Sequence, residues 1–491
     1  MEEAVFSKVL VANRGEIAVR VIRTLKSMGI RAVAVYSDAD ERGLHVLLAD
    51  EAVWVGGSEP AESYLNIEAI VRAAKTSGAE AVHPGYGFLA QRADFVERLE
   101  EEGIVFIGPP AEVQRLVGDK LGARRFFSSA GIPVVPGTLE PVEARDAASV
   151  AEELGYPVIV KPVGGGGGIG MRIAWNEEEL AGALRSAGEL ASKAFGRVEV
   201  YLEKYLPRAR HIEVQVLGDG KGGIYHLFER ECSVQRRFQK VVEEAPSPAL
   251  TPELRSELLS LAVRAAKACT YVNAGTFEFL FDPGSRQFYL LEVNSRIQVE
   301  HPVTEAITGV DIVREQILIA AGEGVDFKQE DVEIRGHAIE ARVYAEDPLN
   351  GFAPSPGRIE AYREPSGPWI RVDSGYYAGS EVPLYYDPLI MKVVSWGRSR
   401  EEARRRLVAA LEETVIRGIA TNIALLHLVL NDEAFVGGDY NTRILEERGI
   451  LARLKGYSVR SPSFPAEERE AVAHRPQPLQ DLWRVAARVR P

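Results

Sequence analysis

Apolar runs and helix-periodic polar stretches alternate through the first part of the chain. Lys8–Ala12 reads as a short strand, Glu16–Met28 as a helix and Arg31–Tyr36 as a second strand, closed by the acidic turn Ser37-Asp38-Ala39-Asp40. Ala52–Val55 and Ala79–His83 read as further strands, with a helix over Ile67–Ala74 between them. A helix over Asp94–Gly103 and a strand over Ile104–Gly108 complete the rhythm. Alternation of this kind predicts a parallel sheet with helices on its faces.

The texture changes near Val117. A helix and a strand lead to Tyr156-Pro-Val-Ile-Val-Lys161 and then to five glycines, Gly164–Gly168. A strand pair, Val198–Leu206 and His211–Leu217, follows, and then a long helix, Pro252–Cys269. Next comes a hairpin with strands Gly275–Phe281 and Phe288–Asn294, joined by the turn-rich Asp282-Pro-Gly-Ser-Arg-Gln287. Gly336–Asp347 opens a third, strand-rich region that closes on a helix, Glu401–Glu413. Ser458–Pro478 is rich in Pro, Ser and charge and reads as a linker, and Leu479–Val489 as a short amphipathic helix. The fold class is therefore α/β and α+β multidomain. Its parts are a Rossmann-like domain (1–116), a second domain (117–331), a third (332–456), and a linker with tail helix (457–491).

A chain of 491 residues, 46% of them apolar, fits such a division, since one core rarely serves so long a chain. The net charge of −13 opposes a nucleic-acid binder. Two cysteines, Cys232 and Cys269, rule out a disulfide framework and a cysteine-built zinc site. No apolar window reaches membrane-spanning length, and Met1-Glu2-Glu3 opens no signal peptide, so a cytoplasmic protein is expected.

Candidate chemistry centres on the glycine run. A segment with almost no side chains can bring backbone N–H groups close to an anion, and Lys161 stands just before it. It is neither a Walker A motif nor a dinucleotide fingerprint, and Asn13-Arg14-Gly15-Glu16 has one glycine where that fingerprint needs three. A period of two puts Phe277, Phe279 and Phe281 on one strand face and Glu278 and Leu280 on the other. In the next strand it aligns Glu292, Asn294 and Arg296. Two facing glutamates and an amide suit Mg²⁺ held together with nucleotide phosphates. Arg236-Arg237-Phe-Gln-Lys240 and Arg296, Gln298, Glu300 and His301 add cations and a candidate base, a composition suited to phosphoryl transfer.

Taken in order, these residues resemble the biotin carboxylase family of the ATP-grasp superfamily, from about Lys8 to about Gly449. The motifs are Val11-Ala-Asn-Arg-Gly-Glu-Ile17, His83-Pro-Gly-Tyr-Gly-Phe88, Gly118-Asp-Lys120, Lys161 with the glycines, Glu203-Lys-Tyr-Leu206, Glu229-Arg-Glu-Cys-Ser233, Glu292-Val-Asn-Ser-Arg-Ile-Gln-Val-Glu-His-Pro302 and Arg335-Gly-His-Ala338. The resemblance implies ATP contacts at Lys120, Lys161, Gly166, Gly167, Glu203, Lys204, Leu206, His211, Gln235 and Leu280. It implies Mg²⁺ (or Mn²⁺) at Glu278, Glu292 and Asn294, and a bicarbonate pocket at Lys240, Arg296, Gln298 and Val299. It implies Glu300 as base, with Arg342 and Tyr86 on the biotin side. The activity implied is ATP-dependent carboxylation of carrier-bound biotin through carboxyphosphate, with another ATP-grasp ligase that does not use biotin as the alternative. The partners implied are a biotin carboxyl carrier protein and carboxyltransferase subunits on separate chains, and a second copy in a homodimer, with no nucleic acid and no membrane. Ile169, Phe238, Gln91-Arg92 and Ser27 depart from the usual pattern.

Overall fold

In a computed structural model, residues 5–163, 170–195 and 199–459 are described. Five short strands, β1 (Lys8–Val11), β2 (Arg31–Ser37), β3 (Glu51–Gly56), β4 (Ala81–His83) and β5 (Val105–Phe106), form a wholly parallel sheet in the order β3-β2-β1-β4-β5. Strand order reverses between β1 and β4, and doubly wound sheets place their ligand crevices beyond such a point. Here the two following loops are tied together. Asn13 Nδ2 donates to the carbonyls of Pro84 and Tyr86, both at 2.7 Å.

The larger sheet has eight antiparallel strands. β9 (Arg210–Gly218), β10 (Ile224–Arg236), β11 (Gln239–Ala245), β12 (Asn273–Asp282), β13 (Gln287–Asn294) and β14 (His337–Tyr344) are joined by strands Leu389–Gly397 and Ile370–Ser374. One face is apolar. Phe277, Phe279 and Phe281 pack there with Ile212, Val214 and the helix Pro252–Ala268. Burying each of those phenylalanines contributes roughly 1.5–3 kcal/mol. The opposite face carries charge.

One expectation is corrected, and one boundary proves to be crossed by strand pairing. The strands read as a pair near 198–217 belong to different sheets. β8 (Val200–Lys204) pairs with β6 (Val158–Pro162), which in turn pairs with β7 (Arg172–Ala174), in a separate three-stranded sheet. That sheet has its own core, with Val158, Val160 and Leu202 against Ala151, Leu180 and Ala187. Nor does the strand-rich third region stand apart. Its first strand, β14, pairs with β11 in the register Val242↔Ala341, so the large sheet runs through the boundary expected at 331. The core there mixes Val234, Val241 and Val242 with Ile339, Val393, Leu407 and Leu411.

Glu244 fastens this seam. Its buried carboxylate accepts from His337 Nε2 (2.6 Å), from Arg400 (2.7 and 2.9 Å) and from Tyr440. Burial pushes its pKa up, but His337 and Arg400 outweigh that and hold it at about 2. A carboxyl depressed on folding stabilises the fold above its unfolded value, and the contribution is lost as pH falls through the folded one. Glu244→Gln should therefore lower the melting temperature at pH 7, by about 3–5 kcal/mol of stability. Melts taken from pH 7 down to pH 3 should show the gap to wild type shrinking below pH 5. A constant gap would refute the ionic account.

Candidate active site

The charged face of the large sheet gathers the candidate residues. Cross-strand pairing puts Glu278 opposite Glu213 on β9 and opposite Glu292 on β13, while Leu280 pairs with His211. The second alignment depends on a β-bulge. Phe279 pairs with Leu290 directly after Glu278 pairs with Glu292, so Leu291 is the extra residue. Unbroken alternation would put Phe288, Leu290 and Glu292 on one face. The bulge sends Phe288 and Leu290 into the core with the β12 phenylalanines and turns Glu292 to the cleft.

Lys240 is the hub. Its ammonium donates to Glu213 Oε2 (2.6 Å), Glu278 Oε1 (2.8 Å) and Glu300 Oε1 (2.7 Å). Burial lowers its pKa, but three glutamates overwhelm that and hold it well above the ordinary lysine value. Glu278 also accepts from Asn294 Nδ2 (2.9 Å) and Gln298 Nε2 (2.8 Å), and His211 Nε2 lies 2.9 Å from its other oxygen. Gln235 orients that imidazole by a 3.0 Å contact to Nδ1. Glu300 accepts from Arg342 Nη2 (2.9 Å) on its second oxygen. Burial raises the Glu300 pKa, while Lys240, Arg342 and Arg230 pull it well below the usual carboxylate range.

Arg296 has a different environment. Its guanidinium donates to Gln91 Oε1 (2.7 Å), Ile297 O (3.1 Å), Gln298 Oε1 (2.7 Å) and Asn294 Oδ1 (3.1 Å), all neutral acceptors. Lys240 and Arg342 are compensated by carboxylates; Arg296 makes no ion pair among the described residues. Its charge is available to an anion.

The remaining predicted residues fall in two groups. Lys161 Nζ lies 2.5 Å from Glu203 Oε2, whose other oxygen accepts from Arg124 (2.6 Å), so this carboxylate is engaged on both sides. Lys204 points away, donating to the carbonyls of Gly155 (2.6 Å) and Tyr156 (2.9 Å). Leu206 lies in the loop between β8 and β9. Lys120 and Glu292 make no hydrogen bond or ion pair among the described residues; burial lowers the Lys120 pKa, and Glu292 opposes this. On the far side, Tyr86 donates to Glu16, and Val299 offers its carbonyl to Lys392 (2.8 Å). Gly166, Gly167 and Ile169 lie outside the described residues, as does the expected tail helix. Phe238, in the β10–β11 turn, is exposed with φ +68°.

Sequence reading missed four members of this face. Glu213 was visible on the strand face of His211 but had no role. Arg230, fully buried, donates to Glu213 Oε1 (2.6 Å), Gln215 Oε1 (2.8 Å), Thr276 (3.0 Å) and Thr304 (3.0 Å). Glu243 lies beside Arg342, and Glu340 pairs with Glu243 across β11 and β14. A run of charges inside an apolar strand was the available signal.

The Glu278–Glu292 pair suits a hard divalent ion that takes few protein ligands, because the Glu292 carboxylate is uncommitted. The Glu213–Glu278 pair does not, since Lys240 already bridges it. Asn294 gives its amide nitrogen to Glu278 and its oxygen to Arg296, so both ends are engaged by protein.

Comparison with known proteins matches three family descriptions in succession. They are "Biotin carboxylase, N-terminal domain" at residues 5–114, "Carbamoyl-phosphate synthase L chain, ATP binding domain" at 119–328 and "Biotin carboxylase C-terminal domain" at 340–447. A pyruvate carboxylase subunit of Methanothermobacter thermautotrophicus is 51% identical over 453 residues, 92% of each chain. Biotin carboxylase 1 of Bacillus subtilis is 49% identical, covering 90% of this chain and 99% of its own. The biotin carboxylase domain dimer of Hydrogenobacter thermophilus 2-oxoglutarate carboxylase, solved with MgADP, ADP and bicarbonate, superposes with a TM-score of 0.88 at 50% identity. The match covers 91% of this chain and 98% of that one.

Proposed function

The chain belongs to the biotin carboxylase family, and on that premise we propose how its own residues divide the work. The reaction is ATP-dependent carboxylation of biotin by bicarbonate, and the biotin-independent alternative is set aside. The observation that carries the assignment of roles is the junction of Lys240, Glu300 and Arg342 beside the uncompensated Arg296.

Bicarbonate binds between Arg296, Gln298, the Val299 backbone and Lys240. Glu300 takes its proton, and the freed oxygen attacks the γ-phosphorus of ATP to give carboxyphosphate and ADP. Carboxyphosphate divides into CO₂ and phosphate. Phosphate takes the ureido proton of biotin, and the nitrogen forms its bond to CO₂. Arg342 stabilises the negative oxygen that develops on biotin, with Tyr86 behind it. Glu300 is a weak base while Lys240 and Arg342 hold its pKa down. The arriving anions draw those cations toward themselves, which moves it toward the useful range.

Lys120, Lys161 and His211 face the nucleotide phosphates, with Gly166 and Gly167 in the segment that covers them. Glu203, Lys204 (through its backbone), Leu206, Gln235 and Leu280 frame the nucleoside. Glu278 and Glu292 would hold Mg²⁺ (or Mn²⁺), which neutralises phosphate charge when it arrives with ATP; Asn294 serves by orienting Glu278 and Arg296. Residues 1–116, 117–331 and 332–456 are the functional divisions, with the lid at 134–206.

The carrier and carboxyltransferase are separate chains, a reading supported by a relative of matching length that is itself named as one subunit of its enzyme. The solved dimer of the 2-oxoglutarate carboxylase domain supports a homodimer. Among the described residues no helix is long and apolar enough to cross a membrane, and the cytoplasm is the proposed location. The final acceptor, acetyl-CoA, propionyl-CoA, pyruvate or another, is chosen by the carboxyltransferase. ATP turnover that requires both bicarbonate and free biotin tests the reading; turnover indifferent to biotin would overturn it.

A further inference from the structure

Arg342 has two carboxylate neighbours, and the reaction as derived uses one. Its Nη2 lies 2.9 Å from Glu300 Oε2 and 2.5 Å from Glu243 Oε1. Glu243 is fully buried on β11, and neither of its oxygens accepts a hydrogen bond from any other described group. A buried carboxylate whose sole close partner is a guanidinium in the active site does little to hold the sheet together, in contrast to its neighbour Glu244. That one is engaged by His337, Arg400 and Tyr440.

We propose that Glu243 is a positioning residue for Arg342, keeping the guanidinium anchored and charge-compensated on the biotin side after Glu300 has taken the bicarbonate proton. The inference rests on the roles assigned above to Glu300 and Arg342. Once Glu300 is neutral, Arg342 loses half of its anionic company inside a dry site. With no second carboxylate it would be free to swing toward the phosphates. With Glu243 in place it stays, and its contact to Glu300 is released for the oxygen of biotin.

The electrostatics support the exchange. Burial, with repulsion from Glu300 added, pushes the Glu243 pKa up to about 7 against the pull of Arg342 and Lys240. Protonating Glu300 removes that repulsion, so Glu243 becomes more fully ionised at the moment Arg342 needs it. The other charged and titratable groups facing Glu243 are Glu340 and Tyr344, on β14, and Cys232, on β10. Lys392, on the next strand, tempers Glu340.

Glu243→Gln keeps the shape and removes the charge. ATP cleavage with bicarbonate alone and carboxylation of free biotin are measured side by side, each resolved into kcat and KM. Biotin carboxylation should fall in kcat on the order of 10²-fold, the scale of a misplaced catalytic group. Cleavage without biotin should fall far less. Glu243→Asp, which keeps the charge, should recover part of the biotin-dependent kcat. Equal losses in both reactions, no loss in either, or an Asp variant no better than Gln would overturn the proposal. Should Gln prevent folding, Asp against wild type carries the same ratio, and equal losses there overturn it too. A wild-type enzyme unstimulated by biotin would instead overturn the functional reading.

Discussion

Glu300→Gln binds ATP normally and loses bicarbonate-dependent ATP cleavage by at least ~10²-fold, the usual contribution of a positioned general base. The substitution is close to isosteric, so the site keeps its shape. Gln keeps one acceptor oxygen, for Lys240 or for Arg342, and turns an NH2 donor toward the other, and it cannot take a proton. The residues proposed for nucleotide binding, Lys120, Lys161 and the Glu278–Glu292 pair, do not touch Glu300, so the nucleotide dissociation constant should barely move. Stopped-time phosphate release with and without bicarbonate, beside a nucleotide titration, separates the two effects. Wild-type cleavage in the variant would remove Glu300 from the base role and direct attention to Glu213, another carboxylate on Lys240.

The second large effect is on stability as much as on rate. Lys240→Met leaves Glu213, Glu278 and Glu300 buried around an apolar side chain. Removing one partner of a buried pair costs about 3–5 kcal/mol, and here three carboxylates each lose one partner, with Arg230 left to Glu213, His211 to Glu278 and Arg342 to Glu300. The pH dependence should invert. In the wild type Glu278 and Glu300 titrate below the ordinary carboxylate value, so their contribution is present above it and lost on acidification. Without the ammonium, burial is less opposed and these pKa values move up, against the remaining pull of His211 on Glu278 and of Arg342 and Arg230 on Glu300. A group raised on folding stabilises below its unfolded value and ceases to do so as pH rises. The variant should therefore be least stable relative to wild type at pH 8 and recover toward pH 5. Denaturant melts across that range decide it, and a gap that widens on acidification would show that the three carboxylates do not depend on Lys240.

Much of this was legible in the chain. Phe277, Phe279 and Phe281 alternating with Glu278 fixed which side of β12 is core, because a period of two leaves little choice. The Glu278–Glu292 pairing followed from the short turn at 282–287. The way it arises did not, since a bulge at Leu291 leaves no mark in a sequence of apolar residues. The union of β11 with β14 was hidden because the paired residues are nearly a hundred positions apart and nothing local specifies their meeting. Glu243 and Glu244 show a further limit. They are adjacent, both wholly buried and identical in type, and only the three-dimensional arrangement assigns one to the active site and the other to the seam.

That seam has a consequence for anyone dividing the chain. A fragment ending at 331 would be cut where two family descriptions leave a gap between them, yet β11 would lose β14 along the pairs Val242↔Ala341 to Ala245↔Ala338. The amides and carbonyls left bare there, beside the valines of an opened core, are a template for another strand. Such a fragment should run as an oligomer or precipitate in sedimentation experiments, and a monodisperse monomer would contradict this. The small three-stranded unit is built in the opposite way. With its own sheet and its own core it is an annex to the wall, whereas the residues beyond 336 are part of the wall itself.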